Sequence, residues 1–253
     1  MSDYLLHNPH LEGDAFFWDA GATGALLLHG FTATTAEVRL FARRLYEKGF
    51  SVGAPLLAGH GTRPEDLNRV QWQDWVESGE QVYQRLKSRC EHVFLGGESM
   101  GGLVALMLAG RHPEASGVLL YAPAIQLTLS TVDTIKLYLG SSFMPYVKRE
   151  TLEMSEYWQG YHPELPTRGI LQLLKFQDAA KKVLPNIAQP IVVFQGRKDT
   201  TVHPQAGDII LRGVASAVKE RHWMERSGHP ILIDAELEEV TNLSLNFMER
   251  VLA

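Results

Sequence analysis

The stretch His92-Val93-Phe94-Leu95-Gly96-Gly97-Glu98-Ser99-Met100-Gly101-Gly102-Leu103 decides how this chain is read. Its first five residues read as a strand, and Leu103 to Leu108 continue as a helix. The G-x-S-x-G string at the junction is a weak signal by itself in a chain with 22 glycines. A strand before it and a helix after it are what its mechanics require. Glycines permit a tight, strained strand-to-helix turn that lifts the serine hydroxyl above a sheet, and the new helix turns its free N–H groups toward any negative charge that develops there.

Working outward from this turn, the chain alternates strands and helices. Gly24 to Leu28 is fully apolar and runs into His29-Gly30-Phe31-Thr32, as a strand buried on both faces of a parallel sheet would. A helix is expected from Thr34-Thr35-Ala36-Glu37, with Val38, Phe41, Ala42 and Leu45 on one face and Lys48-Gly49 closing it. Phe50 to Pro55 reads as the next strand. Between Trp72 and Leu86 the large apolar residues share one helical stripe, so the tryptophans there read as core packing. Gly117–Tyr121, Ile191–Gln195 and Val218–Trp223 read as later strands, and a C-terminal helix is expected from about Asp234. The expected fold is α/β, a mostly parallel sheet with helices on both faces. The rhythm breaks between residues 124 and 180, which read as a cap inserted between core segments 1–123 and 181–253.

Composition agrees with one large domain. The 253 residues are 45% hydrophobic and 21% charged, enough to bury a core without staples. The lone cysteine, Cys90, excludes an internal disulfide framework and fits a reducing compartment. The first residues show no basic stretch leading into an apolar core, and no run approaches the ~18 apolar residues that a membrane span needs. A cytoplasmic protein without an integral membrane segment is expected. The net charge of −5 comes without a lysine or arginine block, so nucleic acid is not an expected partner.

Three strand ends carry candidate chemistry. Serine holds its proton too tightly to attack at neutral pH unless a neighbouring base removes it. Of the ten histidines, His229 in Ser227-Gly228-His229-Pro230 follows the last expected strand, where an open α/β sheet presents functional groups. His162, His203 and His222 lack that placement. Asp199, in Gly196-Arg197-Lys198-Asp199, lies just past the strand Ile191–Gln195 and is the expected partner of the histidine. The order Ser99, Asp199, His229 differs from the two common protease orders. Backbone N–H groups of Phe31 and Met100 are the expected oxyanion donors, which contribute ~10²–10³ in rate in such enzymes. The loop Gly59-His60-Gly61 either shapes the rim of this site or is a plain turn.

Taken together, His29-Gly30-Phe31-Thr32, Gly59-His60-Gly61, Gly97-Glu98-Ser99-Met100-Gly101-Gly102, Gly196-Arg197-Lys198-Asp199 and Ser227-Gly228-His229 resemble the compact bacterial carboxylesterases and monoacylglycerol lipases of the α/β-hydrolase fold. The resemblance spans Gly24 to the C-terminal helix. It implies Ser99 as nucleophile, His229 as base and Asp199 as orienting carboxylate. It also implies a monomer or weak homo-oligomer needing no metal or cofactor, with a small cap over an acyl tunnel and an ester or acylglycerol as substrate. Gly30, His60, Glu156 and Tyr157 are candidate substrate contacts, with His162 and Glu164 as further candidates for a glycerol head group. Glu98 departs from the apolar residue common beside the nucleophile in such relatives. Thioesterase, carbon–carbon hydrolase or aminopeptidase chemistry would use the same serine, and a non-catalytic binder on a hydrolase scaffold is the reading from another class. Dehalogenases and epoxide hydrolases would need a carboxylate where Ser99 stands.

Overall fold

A computed structural model describes residues 6–141, 143–148, 155–161 and 164–253. His162 therefore lies outside the described residues. In chain order the elements are β1 (Phe16–Trp18), β2 (Thr23–Leu28), α1 (Ala36–Glu47), β3 (Ser51–Ala54), α2 (Pro64–Leu67), α3 (Trp72–Lys87), β4 (His92–Glu98), α4 (Met100–Arg111), β5 (Gly117–Tyr121) and α5 (Thr131–Gly140). They continue with β6 (Tyr146–Lys148), β7 (Glu164–Pro166), α6 (Thr167–Val183), β8 (Ile191–Gly196), α7 (Ala206–Gly213), β9 (Lys219–Met224) and α8 (Leu237–Leu252).

Seven strands form one sheet in the order β1-β3-β2-β4-β5-β8-β9, parallel throughout except for β1. Because side chains alternate across a strand, each apolar run feeds two cores. Leu26, Leu28, Leu95, Leu120 and Val193 point to the side covered by α3, α4 and α6. Ala25, Leu27, Phe94, Tyr121 and Phe194 point to the side covered by α1 and α8. α4 is apolar nearly all round and buried along most of its length, so it needs no amphipathic stripe. α1 ends where Lys48 N–H and Gly49 N–H bond back to Leu45 and Tyr46 carbonyls, and Gly49 takes the φ of 86° that the following reversal requires.

Three features differ from the sequence reading. β1 was not expected: three residues are too few to show a period, and its place is set by antiparallel pairing with β3 and by the Arg39 and Arg85 guanidinium groups lying 4.3 and 3.8 Å from the Phe16 and Phe17 rings. The inserted segment also holds a small antiparallel pair, β6 with β7, whose partners are far apart in sequence. After it, α6 packs on α4 and α3, with Trp72 stacked on Phe176 at 5.1 Å and Leu173, Phe176 and Ala180 in the same core as Leu26 and Leu95. The expected cap boundary at residue 180 falls inside this helix. Among the described residues no helix is long and apolar enough to cross a membrane.

Candidate active site

Ser99 occupies the turn between β4 and α4 with φ 55° and ψ −116°, a backbone region costly for a non-glycine residue. The surroundings enforce it. Ser99 N–H donates to the Tyr121 carbonyl at 2.8 Å, and the Ser99 carbonyl accepts from Ala124 and Gly102 at 3.0 and 3.1 Å. At Gly97 an added Cβ would lie 2.2 Å from the Gly101 carbonyl oxygen, so the turn closes only with hydrogen there. The result is a serine side chain fixed above the carboxyl ends of the strands.

His229 reaches it from the loop after β9. Its Nε2 lies 2.8 Å from Ser99 Oγ and its Nδ1 lies 2.9 Å from Asp199 Oδ2. Asp199 follows β8, and its other oxygen accepts from Thr201 and Val202 N–H at 2.7 and 2.9 Å. Burial pushes this carboxyl up, but the His229 hydrogen bond and charge, together with the two amides, outweigh burial and hold it below the usual carboxylate range. An ionised Asp199 therefore accepts a hydrogen bond from His229 Nδ1–H and leaves Nε2 free to accept from Ser99. The three residues are brought together from chain positions 30 and 130 residues apart.

The loop after β2 closes the other side. An added Cβ on Gly30 would lie 3.3 Å from Ser99 Cβ, so this loop touches the serine. His29 ties it down: Nδ1 lies 2.9 Å from the Gly30 carbonyl and Nε2 accepts from Leu57 N–H at 3.1 Å. Burial lowers the His29 pKa to about 4, so the ring is neutral and donates through Nδ1. The segment 159–161 backs the same loop, with Thr34 N–H bonded to the Gln159 carbonyl and Tyr161 N–H to the Thr32 carbonyl. Neither Phe31 N–H nor Met100 N–H has an acceptor among the described residues.

A cavity of about 1080 Å³ opens onto Ser99 and His229. Its wall includes Leu127, Leu137, Met144, Leu165, Ile170 and Leu173, drawn from the inserted segment and α6. Gly30 and Phe31 also line it, whereas His60, Glu156, Tyr157 and Glu164 are not among its described wall residues. His60 is buried beneath the loop, its ring edge-on to His29 and Trp75, and Tyr157 is exposed. Glu37 also lines the cavity, and its Oε2 accepts Gly30 N–H at 2.6 Å. In the sequence Glu37 reads only as part of a helix start. The available signal was a carboxylate one residue before Val38 on the face of α1 that meets the sheet.

With this geometry in place, a family model described as serine aminopeptidase S33 matches residues 24–236, from the start of β2 to just past the histidine loop. The chain belongs to this family. Its fold is the α/β-hydrolase fold. Among similar proteins, a thermostable monoacylglycerol lipase of Bacillus sp. (strain H-257) is 33% identical over 96% of this chain and 97% of its own. A carboxylesterase of Bacillus subtilis (strain 168) is 31% identical over 93% and 96%. A solved structure from work on LipS and LipT, two metagenome-derived lipolytic enzymes, superposes with a TM-score of 0.87 at 27% identity, covering 95% of this chain and 99% of that one.

Proposed function

We propose that this S33-family protein hydrolyses carboxylic esters of fatty acids, monoacylglycerols foremost, through an acyl-enzyme on Ser99. The observation that carries this reading is the unbroken contact from Ser99 Oγ to His229 to Asp199 at the foot of a largely apolar cavity. His229 Nε2 takes the Ser99 proton as Oγ attacks the ester carbonyl, and Asp199 stabilises the imidazolium that results. The tetrahedral oxyanion is met by the N–H groups of Phe31 and Met100, the latter at the positive end of α4. The imidazolium then protonates the departing alcohol. A water, activated by the same ring, releases the acid and restores Ser99.

The cavity argues for a fatty acyl group, since a pocket of this size with apolar walls binds an alkyl chain better than a sugar or peptide. The relatives named monoacylglycerol lipase and carboxylesterase point the same way. Residues 124–180 act in this reading as the cap, with α6 serving both cap and core. The enzyme is read as cytoplasmic and as having no nucleic-acid partner, which the lone buried Cys90 and the net charge of −5 support, and as a monomer or weak homo-oligomer, as the resemblance implies.

The test is hydrolysis of p-nitrophenyl esters and monoacylglycerols of graded chain length by wild type and Ser99→Ala. Activity should fall by about 10⁴-fold or more in the variant, and monoacylglycerols of long chain should be preferred. Retained activity in Ser99→Ala overturns the nucleophile. A preference for short simple esters moves the assignment to a general carboxylesterase.

A further inference from the structure

Beyond the three residues already given roles, buried charge gathers in one place. Glu37 on α1 and Glu98, the residue before Ser99, are 4% and 0% exposed, and neither forms a salt bridge among the described residues. Glu37 accepts Gly30 N–H at 2.6 Å, and the Trp158 side chain lies close enough to help stabilise its charged form. Glu98 accepts Leu232 N–H through Oε1 at 3.1 Å, while its Oε2 is buried without a partner among the described residues.

The consequence lies in the loop. The peptide on the N-terminal side of Gly30 is held by Glu37 through its N–H, and the peptide on the C-terminal side is held by His29 through its carbonyl. A trans peptide is planar, with N–H and C=O pointing in opposite directions, so the His29 contact on the Gly30 carbonyl sets where Phe31 N–H points, and the Glu37 contact fixes the preceding peptide on which that plane turns. We propose that Glu37 is a positioning residue for ester hydrolysis, holding Gly30 so that Phe31 N–H faces the oxyanion and presenting its own charge to the His229 imidazolium formed as Ser99 attacks. This rests on the Ser99 reading above.

The surroundings of the pair set which member carries charge. Glu37 faces His229 from the loop after β9, Glu98 from the end of β4, and the Trp158 indole from the inserted segment. Glu98 in turn faces Asp199 after β8 and the Tyr121 phenol on β5, and His29 above is neutral. Burial raises Glu37 to about 7, against the pull of Gly30 N–H and His229. Burial, and then the neighbouring Glu37 charge, hold Glu98 well above the carboxylate range. Glu98 is therefore the member held more firmly in its neutral form by burial and by its neighbour, and Glu37 gains its charge as pH rises through about 7.

The experiment compares wild type, Glu37→Gln, Glu37→Asp and Ser99→Ala on a soluble short-chain p-nitrophenyl ester from about pH 5 to 9, with thermal unfolding as a check of folding. Glu37→Gln should lower kcat roughly tenfold or more at little change in KM, and its acid limb should lose the ionisation near pH 7. Glu37→Asp keeps the charge and should restore that ionisation and part of kcat, also if Glu37→Gln folds poorly. The inference is overturned if Glu37→Gln matches wild type in kcat and profile, if it changes KM alone, or if Asp and Gln variants behave alike. Residual turnover in Ser99→Ala would overturn the Ser99 reading itself, whereas an inactive Ser99→Ala beside a wild-type-like Glu37→Gln removes only the role of Glu37.

Discussion

At Asp199 two carboxylate oxygens have separate tasks. Oδ1 takes the Thr201 and Val202 amides and so fixes the side chain, leaving Oδ2 for the Nδ1 proton of His229. In Asp199→Asn the amide oxygen would stay with the turn, and the NH₂ group would face Nδ1. The histidine would then carry its proton on Nε2, where it cannot accept from Ser99. We expect kcat to fall by about 10⁴-fold with the unfolding temperature close to wild type, as measured by steady-state kinetics beside calorimetry. An unchanged kcat would mean that the tautomer is set elsewhere. The asymmetry between Asp199 and Glu98 follows from partners: both are buried, but Asp199 has a cation-forming ring and two amides, whereas one oxygen of Glu98 has no hydrogen-bond partner among the described residues.

Among the elements, α4 and β2 meet more closely than side chains allow. A Cβ on Gly101 would stand 2.1 Å from the Leu28 carbonyl oxygen and 2.7 Å from that of His29, and these are backbone atoms that cannot swing aside. Gly101→Ala should therefore destabilise the fold by about 3 kcal/mol or more, read as the denaturant midpoint; a midpoint equal to wild type would show that β2 can retreat. The same contact explains why the G-x-S-x-G string was readable: its glycines are demanded by local packing. β1, by contrast, was not legible, because its three residues become a strand only through β3 and the arginines above them. The β6–β7 pair was missed for the same reason, since its register joins Tyr146 to Pro166 across the inserted segment.

For the whole molecule, the cavity is shared between the body and the inserted segment, so its depth depends on both. Ile170 on α6 forms part of the wall and is nearly buried. Ile170→Trp should fill that part of the cavity and lower kcat/KM for long-chain esters about tenfold while leaving short-chain esters near wild type. Equal loss across the chain-length series would instead point to a displaced Ser99, and no loss at all would take the acyl chain away from α6.

What the sequence determined by itself were the features that local chemistry enforces. These are the strand-turn-helix around Ser99, the apolar runs of the parallel strands, and the order in which serine, carboxylate and histidine follow strand ends. Each is written in a few adjacent residues, because backbone strain, burial on both sheet faces and loop position act over short distances. Only the tertiary structure decided that His229 stands within hydrogen-bonding distance of both Asp199 and Ser99, that Glu156 and Tyr157 are not among the described wall residues of the cavity, and that Glu37 grips Gly30 beside a second buried carboxyl. Those relations join residues that share no sequence neighbourhood, and the energy that holds them comes from burial and partners created when the layers pack.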